Sequence, residues 1–159
     1  MIIHSMKLKY LFALVLPFSL AACQSNDVQK VGDLAVSVLQ QQNAAKTLTA
    51  YEWHLDTGAT DHLVLSFHKD NRFSVKTMCN SLGGSWNINA DKLETGTVIS
   101  TMKACTPEAM QQEKLAGEIF DNHQLPFNLN ATDTEAPTLT ITANNQQYVL
   151  HGKMTQETK

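Results

Sequence analysis

This chain has no cluster of basic residues, few aromatics and no closely spaced cysteines, and each shortage removes a class of function. Twelve Lys and Arg are scattered singly against 15 Asp and Glu, so there is no basic stripe with which to displace the counterions of a nucleic acid. Eleven aromatics (six Phe, three Tyr, two Trp) offer no stacking platform for bases. The three cysteines, Cys23, Cys79 and Cys105, lack the paired Cys or His spacing of a zinc site. No Gly-x-Ser-x-Gly elbow occurs, which removes one signature of a nucleophilic serine. The Gly83-Gly84 pair is too short to cradle a phosphate, and a turn with positive φ is its expected use. The apolar run from Tyr10 to Leu20 has eleven residues, short of the roughly 20 that a spanning helix needs.

That run has another explanation. Lys7 and Lys9 precede it and Leu20-Ala21-Ala22-Cys23 closes it, which gives a basic segment, an apolar segment and a small-residue cleavage site. The last four residues match the lipobox of bacterial lipoproteins. Residues 1–22 are therefore expected to be a signal peptide, with Cys23 the first residue of the mature protein and acylated. A covalent lipid on Cys23 would be the protein's only cofactor and a membrane one of its partners. The expected location is the bacterial cell envelope. In a diderm host, Gln24 after the lipidated Cys resembles the pattern of lipoproteins sent to the outer membrane.

The remaining 136 residues carry 10 basic and 15 acidic side chains, a net charge of −5. That length suits one domain, which would bury roughly two thirds of its unfolded surface. With Cys23 assigned to lipid, Cys79 and Cys105 remain as a pair in an oxidising compartment, or as two buried reduced thiols. Bridging them would stabilise the fold by about 3.5 kcal/mol in the chain-entropy model.

Along the mature chain, residues 24–29 read as a polar tether. Val31, Leu34, Ala35, Val38 and Leu39 then recur at helical spacing, which predicts an amphipathic helix over 28–46. Its polar face is not rich in Lys and Arg, so it is expected to pack on the domain or act as a spacer rather than lie on a membrane. After Thr47 the period shortens to two. Strands are predicted at 51–55, at 62–68 and 72–77 in a hairpin turning at Lys69-Asp70-Asn71, and at 84–88, 92–94 and 97–99. Thr106-Pro107-Glu108 has a hydroxyl cap, Pro at the first helical position and a first-turn carboxylate, so a helix is predicted over 107–121. Strands at 125–129, 138–142 and 147–151 follow, the last two joined by a turn at Asn144-Asn145. Eight or nine short strands and one internal helix predict a mainly β fold: a small antiparallel barrel or strongly curved sheet, with an additional N-terminal helix.

The segments Met78-Cys79-Asn80-Ser81-Leu82-Gly83-Gly84-Ser85-Trp86 and Ser100-Thr101-Met102-Lys103-Ala104-Cys105, followed by an acidic helix, resemble the META domain, or HslJ-like, family. In that family a strand ends in a Cys-Asn turn, a Gly and an aromatic open the next strand, and Thr-x-x-x-Cys precedes a helix carrying a Glu, here Glu113. Trp53-x-Leu55 and Leu139-x-Ile141 also fit, so the likeness covers about residues 50–152. Met78 stands where relatives commonly carry Gly, and Trp86 where Tyr is more usual. The resemblance implies a barrel of lipocalin-like topology with a helix packed across it, in proteins linked to heat shock and envelope stress. It brings no catalytic residues. The resulting division is a signal peptide (1–22), a lipidated Cys with tether and helix (23–49), the META domain (50–152) and a disordered tail (153–159).

Each chemical site has a plainer competitor. His62 and His68 share a predicted face, but six strand steps separate them by about 20 Å. His54, His123 and His151 stand singly in separate elements, so no metal is expected. Glu108, Glu113 and Glu118 are spaced by five, about 140° apart around a helix, and read as a solvated face with Lys114 rather than a catalytic pair. The turn with Asn80, Ser81 and Trp86 is the candidate contact surface. The expected function is that of a non-enzymatic envelope lipoprotein contributing to heat, envelope-stress or antibiotic tolerance through binding or structural support, with a protein of the envelope but no nucleic acid among its partners. The alternatives are a periplasmic inhibitor lipoprotein of the lysozyme-inhibitor type and, third, an envelope hydrolase.

Overall fold

The computed structural model describes residues 26–55 and 63–155, with side chains from residue 34 onward. In chain order these form α1 (Asn26–Ala50), β1 (Tyr51–Leu55), β2 (Leu63–Phe67), β3 (Arg72–Lys76), β4 (Ser81–Asn89), β5 (Lys92–Thr95), β6 (Ile99–Ser100), α2 (Pro107–Phe120), β7 (Gln124–Asn130), β8 (Thr138–Ala143) and β9 (Gln146–Met154). Every strand pairing is antiparallel. The sheet runs β3-β2-β1-β9-β8-β7-β5-β4-β6, and a β3–β4 pairing joins its ends. Eight strands thus form a closed barrel, and β6 is an extra strand. It lies beside Leu82 and Gly83 of β4, where β5, paired with Trp86–Asn89, no longer reaches. Closure leaves the barrel strands without open edges.

Alternation decides what lies inside. Trp53, Leu55, Leu63, Leu65, Phe67, Phe73 and Val75 are buried while their chain neighbours face outward, and Leu139, Ile141 and Leu150 repeat the pattern on β8 and β9. A helix closes each end. At one, α2 sets the Phe120 ring 5.7 Å from Phe73 and buries Ala116 and Ile119. At the other, Leu48 in the last turn of α1 is fully buried, and its carbonyl accepts the Trp53 indole N–H at 3.0 Å. The β8–β9 hairpin turns on Asn144 and Asn145 at φ 51° and 60°, the left-handed pair that a two-residue hairpin with type I′ geometry needs and asparagine tolerates.

Two glycines make room for aromatics rather than for turns. Gly152 is the cross-strand partner of Trp53, and a Cβ there would stand 2.7 Å from Pro137 Cγ and 3.1 Å from Trp53 Cζ3. Gly152→Ala is therefore expected to destabilise by about 2 kcal/mol through overpacking, read as a lower urea midpoint with unchanged slope. Gly84 faces Phe73 across the β3–β4 ladder, 2.9 Å from its ring at the position of a Cβ. Neither Gly83 nor Gly84 has a positive φ, contrary to the expectation of a turn there. The turn is made earlier: Thr77 Oγ1 donates to the Asn80 carbonyl at 2.8 Å and accepts the Asn80 N–H at 3.2 Å. This lets β4 begin at Ser81 rather than Gly84.

Other boundaries also shift. Asn26–Gln29 belong to α1 rather than to a tether, and α1 runs on to Ala50, directly into β1. Lys153 and Met154, expected in a disordered tail, extend β9 and pair with Glu52 and Tyr51. The sixth strand is Ile99–Ser100 rather than 97–99. The predicted packing of the N-terminal helix holds only for its C-terminal half: Ala45 and Leu48 join the core, whereas Leu34, Val38 and Leu39 are exposed. The signal peptide, Cys23 and His62 lie outside the described residues.

Candidate functional site

The residues that carry the sequence motif converge on one place, where the β3–β4 turn, the segment 100–105 and α2 meet. Cys79 and Cys105 are joined in a disulfide with Cα atoms 6.1 Å apart, within the usual range. Asn80, beside it, is 4 % exposed. Its Oδ1 accepts from Thr101 Oγ1 and from the Lys103 amide, both at 2.9 Å. Its Nδ2 donates to Glu113 Oε2 at 2.7 Å and lies 3.3 Å from Cys105 Sγ and 3.4 Å from the Lys103 carbonyl. The carboxylate on one side and the amide N–H on the other define which end of the Asn80 side chain is oxygen. Thr101 also bridges to Ser81 through two further bonds: its N–H donates to the Ser81 carbonyl, and its Oγ1 accepts from the Ser81 N–H.

Glu113 completes the hub from α2. Besides Asn80 it accepts from Ser100 Oγ at 2.6 Å. It does not belong to the solvated face expected of it. Lys114 pairs instead with Glu118 at 3.6 Å, with both side chains largely in water, an arrangement worth a few tenths of a kcal/mol. The hydrogen bond from Ser100 and then that from Asn80 hold the Glu113 carboxyl below the ordinary glutamate pKa, against a smaller opposing effect of burial. A carboxyl whose pKa is depressed in the folded state stabilises the fold above its unfolded pKa, and that contribution is lost as pH falls through the folded value. Glu113→Gln should therefore be less stable than wild type at pH 7, and the gap should close below about pH 4, under the ordinary glutamate pKa. Urea midpoints for both proteins at the two pH values check this.

The three residues expected to form a contact surface do not do so together. Asn80 is interior and its polar atoms are engaged within the fold, and only Ser81 is exposed. Trp86 lies five residues beyond Ser81 along β4. It is 7 % exposed, packed edge-on against Phe67 at 4.8 Å, and its indole N–H donates to the His68 carbonyl. Sequence reasoning also missed that His54 and His151 are direct cross-strand partners on β1 and β9. Among the described residues, no group of three His, Cys, Asp or Glu side chains comes together to hold a metal ion. Glu108 is exposed in the first turn of α2, a position where a carboxylate complements the helix dipole.

A small closed antiparallel barrel, capped by helices and stapled where the Cys-Asn turn meets Thr-x-x-x-Cys, defines the class of protein. Residues 45–155 match the model of the META domain, and the chain belongs to that family. The family is not a known enzyme family. A protein solved by NMR is similar at 17 % identity with a TM-score of 0.53, over 67 % of this chain and 92 % of its own. A protein from Burkholderia xenovorans, also solved by NMR, is similar at 19 % identity with a TM-score of 0.51, over 72 % and 88 %. These two likenesses concern the fold. No curated protein matches the chain.

Proposed function

We propose that this protein is a non-enzymatic lipoprotein of the bacterial envelope, held by acyl chains on Cys23, that contributes to heat, envelope-stress or antibiotic tolerance through binding or structural support. The observation that carries this reading is the state of the motif residues. Asn80, Thr101 and Glu113 spend their polar atoms on one another and on the backbone, so they act as a clasp for segment 100–105 rather than as reacting groups. The lipobox at Leu20–Cys23 supports the location, and the Cys79–Cys105 bridge fits an oxidising compartment.

A deletion strain challenged by heat, and complemented with wild type or Cys23→Ser, tests the reading. Wild type should restore survival and carry diacylglycerol by mass, and Cys23→Ser should do neither. Full rescue by an unacylated variant would remove the anchor from the account. The soluble domain is expected to leave lysozyme activity unchanged, and potent inhibition would favour the inhibitor alternative instead.

A further inference from the structure

The clasp of Asn80, Thr101 and Glu113 holds segment 100–105 by one edge. The Thr101 N–H donates to the Ser81 carbonyl and the Lys103 N–H to Asn80 Oδ1, both toward β4 and the turn before it. Met102 and Ala104 alternate with these two, and among the described residues no hydrogen bond takes their backbone N–H or C=O. Alternate backbone groups left unmet make an open strand edge, along which another extended chain can add. Beside this edge lies a groove of about 640 Å³ whose far wall is α2. Met110, Glu113, Lys114 and Gly117 line that wall at i, i+3, i+4 and i+7, one helix face about 10 Å long. Roughly three residues of extended chain have the same length.

Two features of the groove are not used by the fold itself. The first is Gly117. It lies inside α2, its carbonyl accepts the Asp121 N–H, its φ is not positive, and a Cβ there would meet nothing within 4 Å. Glycine is the poorest helix former after proline, so neither the helix nor its packing calls for it. What it leaves is bare helix backbone that another chain can approach closely. The second is charge. Glu113 is engaged by Ser100 and Asn80, Lys114 pairs with Glu118, and Lys103 has no carboxylate within ion-pair distance among the described residues. Between these charges the lining is apolar and adaptable, with Met102 97 % and Met110 59 % exposed.

We infer that this groove is a peptide-binding site, in which an extended segment of a partner protein, carrying an apolar side chain and a carboxylate, adds as a strand along Met102–Ala104. Main-chain bonds to Met102 and Ala104 supply affinity, the two methionines take the apolar side chain, and Lys103 meets the carboxylate. This deepens the binding part of the reading above by naming its surface and the chemistry of the partner, and it does not need the anchor.

Random heptapeptides displayed on phage, selected on the chain from residue 23 onward with Cys23→Ser and the Cys79–Cys105 bridge closed, provide the test. The recovered peptides should share an acidic residue and slow amide exchange at Met102 and Ala104 by about tenfold. Gly117→Leu and Lys103→Glu should each weaken their binding by about tenfold. Gly117→Ala is the sharper variant: it should raise the thermal midpoint, as a better helix former, and still weaken binding, which a purely structural glycine would not do. No enriched peptide, or peptides that bind wild type and Gly117→Leu equally, would overturn the inference. So would protection of the same two amides in the peptide-free protein as its concentration rises, which would mean that a second copy fills the groove. The assay contains neither lipid nor cells, so its failure is separate from that of the anchored reading, which survival of the deletion strain reports.

Discussion

Opening the Cys79–Cys105 bridge, as Cys79→Ala/Cys105→Ala, is expected to lower stability by about 3 kcal/mol and the thermal midpoint by about 10 °C for a domain of this size. The closed loop contains β4 and β5, the strands that complete the barrel between β3 and β7, together with the extra strand β6. In the unfolded chain the bridge keeps the two ends of that loop together, and without it their closure must be made at the cost of chain entropy. Wild type in strong reductant should unfold at the same temperature as the double variant. Equal midpoints for oxidised and reduced wild type would show that the bridge adds no stability. The barrel should still form in the variant, because Asn80 and Glu113 still hold the same segment through hydrogen bonds.

Asn80→Ala should cost a similar amount, about 3 kcal/mol, because several groups lose a partner at once. The Lys103 N–H and the Thr101 hydroxyl would lose their acceptor, and the Glu113 carboxylate one of its two donors. Asn80→Asp separates hydrogen bonding from shape. Its carboxylate could still accept from Thr101 and Lys103, yet it would face Glu113 across the gap now bridged at 2.7 Å, and two like charges there repel. The Asp variant should be strongly destabilised at pH 7 and regain stability relative to Asn80→Ala at about pH 4, where one carboxyl takes up a proton that both can share. Denaturant midpoints of the three proteins at both pH values decide it. Asn80→Ala and the bridge variant should not be additive, because Nδ2 lies within 3.3 Å of Cys105 Sγ.

These two predictions treat the family motif as a clasp, and that role was only partly legible from the chain. The Cys-Asn and Thr-x-x-x-Cys segments could be recognised, and cysteine arithmetic left Cys79 and Cys105 as a bridge or as two reduced thiols, which the structure resolves as a bridge. The resemblance also placed Glu113 on the helix, but what it bonds to could not be derived locally. Glu113 sits on a helix with Glu108 and Glu118 at even spacing, and side chains on a helical wheel say nothing about which of them meets a turn 33 residues away. Trp86 is read from the chain as a contact residue, whereas its burial against Phe67 depends on the β2–β3 and β3–β4 pairings, which bring residues two strands apart within reach. Gly83-Gly84 looked like a turn because glycine is punctuation in isolation. In the barrel, Gly84 is the space that the Phe73 ring occupies.

What the chain determined by itself was its local periodicity: the change from helical to alternating pattern after Thr47, the Thr106-Pro107 start of α2 and the Asn144-Asn145 turn. Each follows from steric and hydrogen-bonding preferences of residues within a few positions of one another. Only the tertiary structure decided that β3 and β4 close the ring, that His54 meets His151, that Glu113 turns inward, and that α1 keeps Ala45 and Leu48 on the core while leaving Leu34 to Leu39 uncovered. The physical reason is that register and closure are set by side chains meeting across strands far apart in sequence, where hydrophobic burial is shared by many partners and no single residue carries the choice.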